Sequence, residues 1–243
     1  MEDFIRLWPG GPNFITDKAF PVGTDSVLLA DFAMAKGARR AVDLGCGSGI
    51  VMLLMLWRSG ALRADGLELR PEAAGLARRS LEENGLGGRS RVVTGDIRGV
   101  RALMEHGGSD LAVCNPPYFR AADGAVSPDA DRAASRSDAS CTVSDVCAAA
   151  AYLCQTGARL CMVHRCEYLP EVLRAMADAG FEPKRARMVC HTAESAPSLF
   201  LAEGKRDAKP GLRMEPALIL KTPDGCDTDE LRRIYHMEGT EKT

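Results

Sequence analysis

The chain reads as an α/β protein built on a doubly wound, Rossmann-like sheet of seven mostly parallel strands, closed by an antiparallel C-terminal strand pair. Three observations predict this. Apolar strand-like runs alternate with helix-like runs from residue 39 onward, the pattern that places helices on both faces of a parallel sheet. Glycines cluster between the first of these strands and its helix, in VDLGCGSGI. The last two strand-like runs have no clear helix between them, which suits an antiparallel pair.

The elements follow in order. RRAVDLG (39–45) is an apolar strand ending at glycines, and SGIVMLLMLWRS after it is helical. ADGLELR (64–70) is a second strand, followed by the helix PEAAGLARRSLEENG, with Pro71 in its first turn and Gly85 past its end. SRVVTGD (90–96) and SDLAVCN (109–115) are the third and fourth strands. ARLCMVHR (158–165) is a fifth, preceded by the Ala-rich helix VSDVCAAAAYLCQTG. KRARMVCH and EPALILKT are the closing pair. Residues 1–243 thus form a single domain: an N-terminal segment with a capping helix (1–38), a core (39–165), and a C-terminal part with a basic hairpin (166–243). Between residues 120 and 142 the pattern dissolves into Ala, Asp, Ser and Arg, and a loop of that length beside a functional strand end suits an active-site flap or an idle loop equally.

Composition excludes several classes. With 46% apolar and 26% charged residues the chain is neither disordered nor fibrous, and 31 Lys+Arg against 33 Asp+Glu select no partner by bulk charge. Nine cysteines without a C-x-x-C pair, and only four histidines, read as small core residues in a reducing compartment, with no metal site expected. No secretory leader is visible, and the apolar run IVMLLMLW is far short of a membrane span, so a cytoplasmic protein is expected.

The glycine loop carries the first functional signal. Asp43 ends the first strand, and Gly45, Gly47 and Gly49 follow at every second position around Cys46. Glycines there let the backbone approach a ligand at the carboxyl edge of the sheet. A dinucleotide fingerprint would need glycine where Ile50 stands; D-x-G-x-G-x-G resembles instead the first motif of S-adenosylmethionine-dependent methyltransferases. Glu68, 25 residues after Asp43, ends the second strand, where a carboxylate can accept both ribose hydroxyls. Asp96 ends the third, where it can accept an adenine amino group. Leu69 and Ile97 beside them complete the candidate cofactor wall. Upstream, FPVGTDSVLLADFA joins a turn to an amphipathic helix that Thr24 or Asp25 can cap, and it resembles the segment that closes over the methionine end of the cofactor in such enzymes.

The fourth strand ends on Asn115-Pro116-Pro117-Tyr118-Phe119. An exocyclic amino group on a base is a poor nucleophile because its lone pair is delocalised into the ring. Rigid acceptors for both N–H groups turn that lone pair towards a methyl donor. The prolines have fixed φ and hold Asn115 extended, so the Asn115 side-chain oxygen and the Pro116 carbonyl are pre-aimed acceptors. Tyr118 is placed to stack on the ring, with Phe119 beside it. N-P-P-Y resembles the signature of methyltransferases acting on planar amino nitrogens: adenine, cytosine or protein glutamine.

FPVGTDSVLLADF, DLGCGSGIV, NPPYF and the C-terminal LFLAEGKRDAKPGLRMEPALIL together resemble the bacterial tRNA(Val) adenine-N6 methyltransferase family, over residues 20–235. That resemblance implies a tRNA adenine beside the anticodon as substrate. Arg136, in SRSD, falls where the family carries an Ala-Arg pair, but Ser135 and Asp138 depart from the commonest form. From residue 181 to 221, eight basic residues face five acids, and Lys205, Arg206 and Lys209 are candidate phosphate contacts in a loop between the terminal strands. Alternative readings are an NPPY enzyme acting on rRNA, DNA or protein glutamine, and a non-catalytic RNA-binding module. The short segment before Asp43 argues against the glutamine enzymes, which carry a helical domain there. The intact acids and Asn115 argue against a pure binder. The oligomeric state is not legible.

Overall fold

Eight strands share one sheet, one more than the sequence predicts. The computed structural model describes residues 3–16, 22–34, 36–116 and 141–236. In chain order the elements are β1 (Asp3–Arg6), β2 (Asn13–Thr16), α1 (Thr24–Met34), β3 (Arg40–Leu44), α2 (Ile50–Arg58), β4 (Arg63–Glu68), α3 (Pro71–Glu83), β5 (Ser90–Thr94), α4 (Val100–Leu103) and β6 (Ser109–Cys114). Then come α5 (Val143–Leu153), β7 (Cys154–Arg165), α6 (Leu169–Asp178), β8 (Phe181–Cys190), β9 (Pro197–Arg206), β10 (Arg213–Ile219) and α7 (Asp229–Ile234). The sheet runs β10-β8-β9-β7-β6-β3-β4-β5.

All its neighbouring pairs are parallel except the two that β9 makes, with β7 and β8. This corrects the expected C-terminal pairing. The two runs read as an antiparallel pair are β8 and β10, and they lie parallel. The antiparallel strand is β9, inserted between β7 and β8, so that Lys205 and Arg206 belong to its end rather than to a loop. β9 is hard to see because Glu203 and Gly204 sit in its interior, and both residue types are depleted in strands. Here Glu203 is 1% exposed and ion-paired with Arg185 and Arg159. Gly204 is needed because a Cβ would lie 2.9 Å from that of Phe181 on the next strand.

The sheet is covered on both faces, as strand–helix alternation requires. One face packs α1, α2, α3 and α7 around Leu28, Met52, Leu53, Leu54, Leu81 and Ile234. The other packs α4, α5 and α6 around Val100, Cys147, Leu153, Met176 and Phe200. Helix ends follow ordinary capping chemistry. Thr142 and Asp145 form a reciprocal capping box at α5, and Gly85, at φ 68°, lies just past α3.

The hairpin β1–β2 within the N-terminal segment was not predicted either. It docks on α3, where Asn84 donates to the Asn13 carbonyl and Ser80 Oγ accepts the Ile15 N–H at 2.9 Å. Among the described residues no helix is long and apolar enough to cross a membrane.

Candidate active site

The chain reverses its direction of travel across the sheet at β3, flanked by β4 and β6. In open α/β sheets a ligand crevice lies outside the carboxyl ends of the strands at such a point. Register fixes what meets there. Asp43 pairs with Val113 on one side and Gly66 on the other, so Gly45, Glu68 and Asn115 stand level, just past the strand ends. Alternation also puts Asp43, Glu68 and Asn115 on the face covered by α1 and α2, because Ala41, Ala64, Leu111 and Val113 all point into that core.

The loop between β3 and α2 is held open by its glycines. Gly45, Gly47 and Gly49 have φ of 74°, 55° and 85°, the left-handed region. A Cβ on Gly47 would meet nothing within 4 Å, so this glycine faces open space. A Cβ on Gly49 would lie 2.8 Å from that of Ala77 on α3, so this one is required by packing. Gly45 and Cys46 both donate to the Leu67 carbonyl, which ties the loop to β4.

Two carboxylates support the loop differently. Glu68 Oε2 accepts the Gly47 N–H at 2.9 Å and Oε1 accepts the Arg70 N–H at 2.9 Å. Asp43 is 1% exposed, and its Oδ2 has no hydrogen-bond partner among the described residues. Burial first, then Glu68, push the Asp43 carboxyl up to about 7, against the pull of the Met52 backbone N–H. Burial likewise raises the Cys46 thiol well above its ordinary value.

Other expected residues line the same edge. Ile97 reaches to 3.9 Å from where a Gly45 Cβ would stand, and Leu69 is 37% exposed at the rim. Asp96 follows β5, but Arg98 grips both of its oxygens and holds its pKa below the usual carboxylate range. Thr24 and Asp25 open α1, where Asp25 Oδ1 accepts the Ser26 N–H at 2.8 Å. Asn115 donates through Nδ2 to Ser26 Oγ at 2.9 Å, its only side-chain hydrogen bond among the described residues. Pro116 is described; Pro117, Tyr118, Phe119, Arg136 and the expected flap lie outside the described residues, apart from Cys141 and Thr142 at its end.

The basic residues are not brought to this edge. Lys205 pairs with Arg159, which pairs with Leu111, four residues before Asn115. That separation is about 13 Å along the strands, towards the opposite rim of the sheet. Arg206 turns its guanidinium onto the Cys154 carbonyl, and Lys209 follows in the loop after β9. The sequence reading also passed over Ser26 and Arg70, both in direct contact with expected site residues. Ser26 lies in GTDSVLL, where its neighbours Thr24 and Asp25 suffice as helix caps.

Comparison with known proteins bears directly on this edge. The methyltransferase small domain model matches residues 15–165. A tRNA1(Val) (adenine(37)-N6)-methyltransferase of Tolumonas auensis is 32% identical over 209 residues, covering 85% of this chain and 84% of that one. The chain belongs to this methyltransferase family. A Yersinia pestis member is 40% identical over 102 residues, 42% of this chain and 41% of its own. Among solved structures, a predicted O-methyltransferase of Agrobacterium tumefaciens superimposes with a TM-score of 0.72 at 19% identity, covering 87% of this chain and 95% of that one, which speaks for the fold alone. A geranyl diphosphate methyltransferase bound to S-adenosylmethionine gives 0.53 at 17% identity, covering 74% and 84%. Membership makes the protein an S-adenosylmethionine-dependent methyltransferase. The site suits that cofactor: an open glycine cradle, an unsatisfied buried Asp43 oxygen and an acidic β4 end are what a polar, cationic nucleoside ligand can use.

Proposed function

We propose that this enzyme methylates the exocyclic N6 of an unpaired tRNA adenine beside the anticodon, the nucleotide for which its relatives are named. The observation that carries the reading is Asn115: at the carboxyl edge of β6, level with the glycine cradle, its side-chain oxygen is left without a partner among the described residues. The loop 45–49, Glu68 with Leu69, and Asp96 with Ile97 would hold the cofactor, with Thr24 and Asp25 at its methionine end. S-adenosylmethionine supplies an electrophilic methyl group when bound. Asn115 Oδ1 and the Pro116 carbonyl would accept the two amino hydrogens and aim the nitrogen lone pair, and the methylated nitrogen then sheds one proton to water.

Tyr118 and Phe119 would stack on the ring. An anticodon-loop adenine is already unpaired on its Watson–Crick edge, so presenting it costs less than flipping a duplex base. Lys205, Arg206 and Lys209, on the far rim, would touch only RNA phosphates remote from the target base. A tRNA substrate places the enzyme in the cytoplasm. The deciding experiment incubates tRNA with enzyme and methyl-labelled cofactor and digests it to nucleosides for mass spectrometry. N6-methyladenosine beside the anticodon is expected; label on cytosine, or on protein alone, would overturn the reading.

A further inference from the structure

Asn115 can serve as an acceptor only if its carboxamide presents oxygen, not nitrogen, to the amine. A side-chain amide rotates through 180° with little change in shape, and the rotated form would set N–H donors against N–H donors. The fold ties down one end of this amide and leaves the other for the amine. Ser26, on the first turn of α1 and 89 residues away in sequence, takes the Asn115 Nδ2–H on its hydroxyl at 2.9 Å.

Ser26 is 7% exposed, so water cannot easily replace it. Its helix is anchored at its far end, over the last turn. Arg185 donates to the Phe32 carbonyl at 2.8 Å, Arg159 to the Ala33 carbonyl at 2.9 Å, and Arg58 to Asp31 at 3.3 Å. A hydroxyl on so fixed a helix can define an orientation, as a loop hydroxyl could not. Donation from Nδ2 also draws electron density through the amide and makes Oδ1 the stronger acceptor.

We infer that Ser26 is a positioning residue for methyl transfer: it pins the Asn115 carboxamide with Oδ1 facing the target amine. The inference rests on the reading of Asn115 given above. Ser26→Ala leaves the acceptor in place but frees it to turn, so the loss is in the chemical step. Single-turnover transfer to an anticodon stem-loop at saturating cofactor should slow roughly 10-fold, the worth of about one hydrogen bond. Cofactor affinity, RNA affinity and melting temperature should hold, and Ser26→Thr should restore the rate. In an Asn115→Ala background, Ser26→Ala should cost nothing further.

A second readout is independent of catalysis. The chain has three asparagines, Asn13, Asn84 and Asn115, so selective ¹⁵N-asparagine labelling yields three side-chain amide pairs, and Asn115→Ala identifies the third by its loss. Ser26→Ala should shift that pair upfield and leave the other two in place. A wild-type rate in Ser26→Ala, an additive loss in the double variant, or an unmoved Asn115 amide would each overturn the inference. If the wild-type enzyme methylates no RNA, the substrate reading fails, and the amide resonances alone decide whether Ser26 holds Asn115.

Discussion

Glu68 has a donor on each carboxylate oxygen, whereas Asp43, buried beside it, leaves Oδ2 with none among the described residues. The two acids repel each other beneath the glycine loop. A folded-state pKa above the unfolded one favours the protonated carboxyl in the native protein. The stability contributed by Asp43 is therefore fully present below its unfolded value of 3.8 and is lost as pH rises through about 7. Asp43→Asn should flatten this loss, raising stability at pH 8 by about 2–4 kcal/mol and little at pH 4. It should also weaken S-adenosylmethionine binding. Urea denaturation of the cofactor-free protein at both pH values checks the first claim, and calorimetry the second. Parallel pH profiles in wild type and variant would show that Asp43 is not strained.

Gly47 and Gly49 separate binding from folding. Both have left-handed φ, so alanine costs about 1–2 kcal/mol of strain at either. At Gly49 the added methyl also strikes Ala77, and Gly49→Ala should unfold at clearly lower temperature. At Gly47 it enters open space in the cradle. Gly47→Ala should cost the backbone strain alone, melting above Gly49→Ala, yet lose cofactor affinity. Thermal melts with and without S-adenosylhomocysteine would tell the two apart, through the ligand-induced shift.

The strands and the carboxyl-edge crevice were legible because parallel strands buried on both faces read as continuous apolar runs, and because a glycine loop and strand-end acids mark the crevice. β9 was not, because Glu203 and Gly204 look like turn residues until their partners are known. Ser26 was not, because its neighbours Thr24 and Asp25 offered a sufficient explanation as caps, and only the tertiary fold brings Asn115 to it. The remoteness of Lys205 from Asn115 was hidden for the same reason: it depends on the direction of β9.

Glu203 joins β9 to α1. Burial raises its pKa, but Lys36, Arg185 and Arg159 overcome this and hold it below the ordinary value. Arg185 itself is buried, 3.6 Å above the Phe32 ring. Glu203→Gln leaves the Arg159 guanidinium without its counter-charge and takes from buried Arg185 one of its two, the other being Glu215, so it should destabilise by about 3–5 kcal/mol. The wild-type contribution is present above pH 4.5 and fails as pH falls through the depressed folded value. An acid-denaturation midpoint unchanged by the substitution would count against this network.

The far-rim lysines give a test on RNA. If Lys205 and Lys209 touch remote phosphates, replacing both with Ala should weaken tRNA binding and reduce its slope against log salt by about two units. Single-turnover transfer at saturating tRNA should not change. A loss in the chemical step would mean that this rim contacts the reacting nucleotide after all, against the register of β6, β7 and β9.

Asn115 carries the sharpest expectation. Its oxygen gains most when the target nitrogen turns towards the methyl, so its interaction is worth more in the transition state than in the ground state. Asn115→Ala should lower kcat by roughly 10²–10³-fold, about 3–4 kcal/mol, as for loss of one preorganised polar partner. Cofactor affinity should change far less, because the glycine loop and Glu68 are untouched, and RNA affinity only modestly. Asn115→Asp is the informative companion. It keeps two acceptor oxygens but cannot donate to Ser26 when ionised, so it should retain part of the rate Ala loses. Single-turnover methyl transfer to an anticodon stem-loop, at saturating cofactor, measures all three proteins on one scale. An Asn115→Ala enzyme running at the wild-type rate would rule out amine polarisation by this side chain.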